Sequence, residues 1–107
     1  MDKRIYLLHA QLCETLANPK RLEIIDVLRR KSMSVGELAK KTGLAQANLS
    51  QHLALLRQRG IVSAERKGRN VRYALAYKEM TEACGLIRKV LLKQLSEGEK
   101  LAKKVRV

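Results

Sequence analysis

The stretch LAQANLSQHLALLRQRG, residues 44–60, crowds Gln46, Asn48, Ser50, Gln51 and His52 onto a short segment, and IVSAERKGRNVRYALA follows at once. Amide and hydroxyl side chains make a poor core, yet they donate and accept hydrogen bonds in fixed geometry. That is the chemistry of reading base-pair edges: Gln and Asn suit adenine, and Ser suits bases or phosphate. From Arg57 to Arg72 the chain then sets six basic residues (Arg57, Arg59, Arg66, Lys67, Arg69, Arg72) against one acidic residue, Glu65. Alone, such a cluster reads as a solvated hairpin. Beside a polar helix face it reads as a phosphate-binding edge.

The remaining reactive groups are few. His52 reads as a DNA contact or a helix-packing residue, because a zinc site needs three or four ligands and none stands near it in sequence. Cys13 and Cys84 leave three readings open. They are buried packing residues, since a free cysteine behaves as a small hydrophobe, or a redox pair forming a disulfide or polysulfide-type link. Thirdly, they hold a thiophilic metal or metalloid together with His9. In the redox reading Cys13 is the more reactive thiol, with His9 one turn before it and Lys3 and Arg4 as nearby cations, and Cys84 is its resolving partner. No nucleophile–base–acid set, Gly-rich phosphate loop or paired carboxylate is present, so neither an enzyme nor a cofactor is expected.

Composition narrows the partner. The chain has 107 residues, suited to one domain over 1–107, with no Trp or Phe and only three Tyr, so Leu, Ile, Val and Ala must build the core. It carries 23 Lys and Arg against 10 Asp and Glu, a formal +13. That balance points to a polyanion or an anionic surface. No apolar run approaches the ~20 residues that span a bilayer, and MDKRIYLLHAQLCE is not a signal peptide. Two cysteines without an export signal indicate a reducing compartment. Double-stranded DNA in the cytoplasm, at the nucleoid, is the expected partner, with no membrane.

Six helical and extended segments position these groups, with a seventh closing the chain. Ile5, Leu8, Leu12 and Leu16 at helical spacing predict a first helix over residues 4–16. Asn18 as cap and Pro19 at the first position start a second helix, PKRLEIIDVLRRK, burying Leu22, Ile25 and Leu28. Ser34, with Glu37 completing a capping box, starts a short third helix that Gly43 closes. In the fourth, Leu49, Leu53 and Leu56 form one inward stripe, leaving Gln46, Ala47, Ser50 and Gln51 outside until Gly60 ends it. Two alternating strands follow, around Val62–Glu65 and Val71–Ala76, joined by a Lys67-Gly68-Arg69-Asn70 turn in which Gly and Asn absorb positive φ. A last helix from Lys78 to about Leu95 carries Met80, Cys84, Ile87 and Leu91 on one stripe. A basic tail at about 97–107 is interrupted by Gly98.

Four helices, a hairpin and a terminal helix is the order of a winged helix-turn-helix, mainly α with a β-hairpin wing. ANPKRLEIIDVL, SVGELAKKTGLAQANLSQHLALLRQRGIV and ERKGRNVRYAL resemble the ArsR/SmtB family of bacterial and archaeal repressors over residues 5 to about 95. The resemblance implies a homodimer formed through the first and last helices that represses by covering a promoter and is released by an effector. It also implies base contacts from Gln46, Ala47, Ser50 and Gln51, with Ala47 limited to an apolar contact. Two family metal sites are missing: SVGELAKK has no Cys-x-Cys, and YKEMTEACGLIRKVLLKQL has neither Asp nor His. The effector is unknown. The expectation is a homodimeric repressor on an inverted-repeat operator, thiol-redox or polysulfide responsive through Cys13 and Cys84. The alternatives are a non-specific architectural DNA-binding protein or a repressor sensing a thiophilic metal or metalloid.

Overall fold

The computed structural model describes the backbone of residues 1–105 and their side chains apart from 102 and 105. In chain order the elements are α1 (Lys3–Leu16), α2 (Pro19–Leu28), α3 (Val35–Thr42), α4 (Gln46–Gln58), β1 (Val62–Lys67), β2 (Asn70–Leu75) and α5 (Glu79–Val105). Local chemistry sets the boundaries. Asn18 accepts from the N–H groups of Lys20 and Arg21, with Pro19 beginning α2. Ser34 accepts from Glu37 N–H at 3.2 Å to start α3. Gly43 ends it at φ 74°, a left-handed conformation open to glycine at little cost.

The core is a trunk built from α2, α3, α4 and the hairpin. Ile24, Ile25, Leu28, Met33, Leu38, Leu49, Leu53, Leu56, Ile61 and Val62 form one buried cluster. The expected α4 stripe is entirely inside, with Leu49, Leu53 and Leu56 at 0% exposure. In α2 one assignment is corrected: Leu22 is 37% exposed and Ile24 takes the buried place beside Ile25 and Leu28. PKRLEIIDVL has apolar side chains around most of its circumference, so spacing alone does not rank its faces.

The hairpin pairs β1 and β2 antiparallel from Val62↔Leu75 to Lys67↔Asn70. Gly68, at φ 64°, occupies the first central position of the turn, as in a type II′ connection. Asn70 contributes no positive φ, contrary to expectation. Nor does β2 alternate, since Val71 to Leu75 are all half-buried. One reason is that Met33 bridges to Tyr73 through two backbone hydrogen bonds of 2.9 and 2.8 Å, so the α2–α3 loop touches β2 at a single isolated bridge.

Neither α1 nor α5 packs broadly on any other element of the protomer. Leu12, Leu16 and Met80 touch the core from their roots, and Cys84 is buried at 5% exposure. Further out, both helices present apolar side chains to solvent: Tyr6, Leu7 and Leu8 on α1, and Ile87, Leu91 and Leu95 on α5. The expected stripe of α5 is therefore split, its first half inside and its second half outside. The helix also continues past Leu95 and through Gly98. A single glycine costs only ~1 kcal/mol among strong helix formers such as Glu97, Glu99 and Lys100. The expected basic tail is thus helical to Val105, and 106–107 lie outside the described residues.

Candidate nucleic-acid interface

α3 and α4 are joined by a tight connection. Thr42 Oγ1 donates to Leu38 O at 2.7 Å and accepts from Leu44 N–H at 3.2 Å, while Gly43 reverses the chain. With Leu49, Leu53 and Leu56 locked inward, helical geometry sends Gln46, Ala47, Ser50 and Gln51 outward, and all four, with Asn48, are exposed. Ala45 supplies no side-chain cap, and the N–H groups of Gln46, Ala47 and Asn48 have no acceptor among the described residues. The beginning of α4 is therefore a set of outward donors at the positive end of a helix dipole, suited to an anion or a base edge.

The wing completes the surface. Arg66, Lys67 and Arg69 are exposed at the hairpin tip, and Arg57 is exposed on α4. Because successive strand residues face opposite ways, Arg66 and Lys67 make both sides of the tip basic. Two surface grooves bring helix and wing together. Gln46 lines one with Arg69, Asn70 and Tyr73 of the wing, closed by Ser34 and Val35 at the start of α3. Ser50 and Arg57 line the other, again with Tyr73.

Two of the expected members sit differently. His52 is half-buried on the flank of α4. Burial holds its pKa below the ordinary histidine value, and the nearby charges of Arg21 and then Lys20 push in the same direction. It sits near Arg21 and Lys20 at the start of α2, set back from the open face. Arg72, counted with the wing cations by sequence, turns away from the tip. Its Nη2 donates to Ser32 O at 2.7 Å, its Nη1 to Glu37 Oε1 at 3.0 Å and its Nε to Ser32 Oγ at 3.2 Å. The Glu37 carboxyl is held below the usual carboxylate range chiefly by the hydrogen bond from Arg72. The capping box is therefore only half made: Glu37 N–H donates to Ser34 Oγ, but among the described residues the Glu37 carboxylate takes no bond from Ser34 N–H. Its Oε1 accepts instead from Ser34 Oγ at 3.3 Å and from Arg72 at 3.0 Å.

Cys13 is exposed on α1 and Cys84 is buried at the root of α5. Arg4, expected to be a cation near Cys13, is bound by Asp2 at 2.7 Å. It also lies nine residues before Cys13 on the same helix, ~13 Å along the axis, and Lys3 is one residue further. No three His, Cys, Asp or Glu side chains among the described residues converge as a metal site, so Cys13, His9 and Cys84 are not assembled as ligands within one protomer. No described helix is long and apolar enough to cross a membrane.

Comparison with known proteins agrees with this geometry. The family model "Bacterial regulatory protein, arsR family" matches residues 18–64, from the cap of α2 into β1. The HTH-type transcriptional regulator Rv0081 of Mycobacterium tuberculosis is 40% identical over 94 residues, covering 87% of this chain and 82% of that protein. Its crystal structure aligns with a TM-score of 0.78 over 87% of this chain and 94% of its own. The solution structure of the homodimeric winged helix-turn-helix DNA-binding domain of Mb0332 from Mycobacterium bovis gives a TM-score of 0.77 at 28% identity, covering 91% and 92%. The transcriptional activator HlyU of Vibrio cholerae is 37% identical over 74% of this chain and 73% of its own. With the helix-turn-helix, wing and flanking helices all present over most of its length, the chain belongs to the ArsR family of bacterial transcriptional regulators.

Proposed function

We propose that the chain is a sequence-specific DNA-binding repressor that works as a homodimer on an inverted-repeat operator. The observation that carries this reading is the groove shared by Gln46 of α4 and Arg69 of the wing. It makes one continuous surface from a side chain suited to base edges and one suited to phosphate. Gln46, Ala47, Asn48, Ser50 and Gln51 read bases in the major groove, Arg57, Arg66, Lys67 and Arg69 hold the backbone, and His52 supports the helix from its flank.

The apolar outer faces of α1 and α5 fit a second copy of the chain, because a monomer leaving Leu7, Leu8, Ile87, Leu91 and Leu95 in water exposes more contiguous apolar surface than is usual. The homodimeric Mb0332 domain supports the same choice. Two-fold symmetry sets the two α4 helices ~34 Å apart, one turn of DNA. Repression then needs only occupancy, since a dimer lying across a promoter excludes polymerase.

For the signal, the accessible thiol of Cys13 on α1 and the buried thiol of Cys84 on α5 are the soft, oxidisable pair. An oxidant such as a peroxide or polysulfide removes two electrons and two protons to form one S–S bond. That bond ties α1 to α5 and alters the spacing of the reading helices. α1 does not pack broadly on α5 within the protomer, so the bond joins Cys13 of one protomer to Cys84 of its partner.

Hydroxyl-radical footprinting on genomic fragments tests the central reading. Two protected half-sites of inverted sequence, centred about one turn apart, are expected. Uniform protection without sequence preference contradicts it and leaves an architectural coat as the better account.

A further inference from the structure

Arg72 has a carboxylate directly across the hairpin, since β-pairing places Glu65 opposite it on the same face. It forms no ion pair with Glu65 among the described residues. Its guanidinium instead reaches back to Ser32 in the α2–α3 loop and Glu37 in the first turn of α3. Three donors of one planar group are used, two of them on a single residue, and this fixes orientation as well as distance. The neighbouring residue, Tyr73, exchanges both backbone hydrogen bonds with Met33 on the same loop. Strand β2 is thus stitched to the entrance of α3 at two adjacent positions. On the other side, Tyr73 lines both grooves that join α4 to the wing. Among the described residues, no other side chain of the wing is hydrogen-bonded to the helix-turn-helix.

We propose that Arg72 is a positioning residue for DNA binding: clasped by Ser32 and Glu37, it fixes the wing against the helix-turn-helix and makes no contact with DNA itself. The inference rests on the DNA-binding reading given above. It assigns Glu37 a role that runs against simple electrostatics. An acidic side chain near DNA ordinarily weakens binding, so its removal ordinarily helps. As half of the clasp, Glu37 strengthens binding by holding the wing in place, and its removal harms.

The test uses the full chain and a duplex enriched by the wild-type protein from a random-sequence pool, with a scrambled duplex of the same composition as control. Arg72→Gln, Glu37→Gln and their double variant are compared over a range of salt concentrations. The expected result is a loss of about tenfold on the enriched duplex for each single variant, the range of a lost charge-assisted hydrogen bond. The double variant is expected to be no worse than either, with an unchanged salt slope. Arg72→Lys keeps the charge but not the fork, so it is expected to lose about as much as Arg72→Gln. It carries the test if the glutamine variant does not fold by circular dichroism. A salt slope falling by about one unit in Arg72→Gln, with Glu37→Gln binding as tightly as wild type or tighter, makes Arg72 a phosphate contact and overturns the proposal. Wild-type affinity in folded variants overturns it too, leaving the clasp a matter of stability alone. A pool that yields no discrete sequence is a separate failure, of the sequence-reading assignment and not of the clasp, whose order of variants is then read on the scrambled duplex.

Discussion

The trunk and the two outer helices of this chain are built from similar leucine-rich sequence and end in opposite environments. Leu49, Leu53 and Leu56 are fully buried, while Ile87, Leu91 and Leu95 stand more than half exposed. The trunk closes on itself: α2, α3, α4 and the hairpin each pack on at least two of the others. The outer helices are rooted in that core at Leu12, Leu16, Met80 and Cys84 and then leave it. An apolar stripe therefore reports that a face will be covered, and not by what. In the trunk the cover is the same chain, and on the outer helices it is, in the function proposed here, a second copy.

Breaking the outer face should have the largest effect on DNA. The double variant Ile87→Glu/Leu91→Glu is expected to sediment as a folded monomer and to lose about 10²–10⁴-fold in operator affinity, the gain that linking two half-site readers supplies. A variant that remains dimeric with unaltered affinity would place the dimer elsewhere. In the trunk, Leu53→Ala should cost about 2–5 kcal/mol in urea unfolding, independent of protein concentration, through the cavity it leaves. If that loss instead shrank at higher protein concentration, the trunk would depend on dimerisation too.

Acidification should weaken the trunk in two steps. His52 has a pKa lowered by burial and by Arg21 and Lys20, so between its unfolded and folded values the unfolded chain binds more protons. Its contribution is complete above the unfolded value of about 6.5 and declines as pH falls through it towards the folded value. Glu37 is held low by Arg72, so its contribution is complete above the ordinary value of about 4.3 and is lost as pH falls through the lower folded value. Urea midpoints from pH 8 to 5 should fall in wild type and flatten in His52→Gln. An equal slope in both would remove His52 from the account. The smallest effects belong to the thiols. Cys84→Ser buries a hydroxyl at the root of α5 and should cost about 1–3 kcal/mol. Cys13→Ser, on the exposed side of α1, should stay within about 0.5 kcal/mol, and comparable costs for the two would show that Cys13 is covered in solution.

Local signals were the readable ones. Asn18-Pro19, Ser34 and Gly43 mark helix ends through chemistry within a few residues, and the α4 stripe repeats at steps that admit one face. The outward residues of α4 follow from that stripe. Harder to read were features decided by partners far along the chain. Arg72 finds Glu37, thirty-five residues away, over the carboxylate facing it across the hairpin. Leu22 and Ile24 exchange places because α2 meets neighbours on more than one side. α5 outruns Gly98 because its flanks favour helix more than one glycine opposes it. The shared groove of Gln46 and Arg69 joins residues more than twenty positions apart, and only folding sets them side by side.

Salt titrations of Gln46→Ala and Arg69→Ala, on the enriched and the scrambled duplex in parallel, test most directly the claim that α4 reads while the wing anchors. Gln46→Ala should lose about 1–3 kcal/mol per half-site on the enriched duplex only, at an unchanged salt slope. Arg69→Ala should weaken both duplexes and lower the slope by about one unit for each phosphate that the arginine no longer neutralises. Two variants that weaken both duplexes equally, with the same change in slope, would contradict that division of labour.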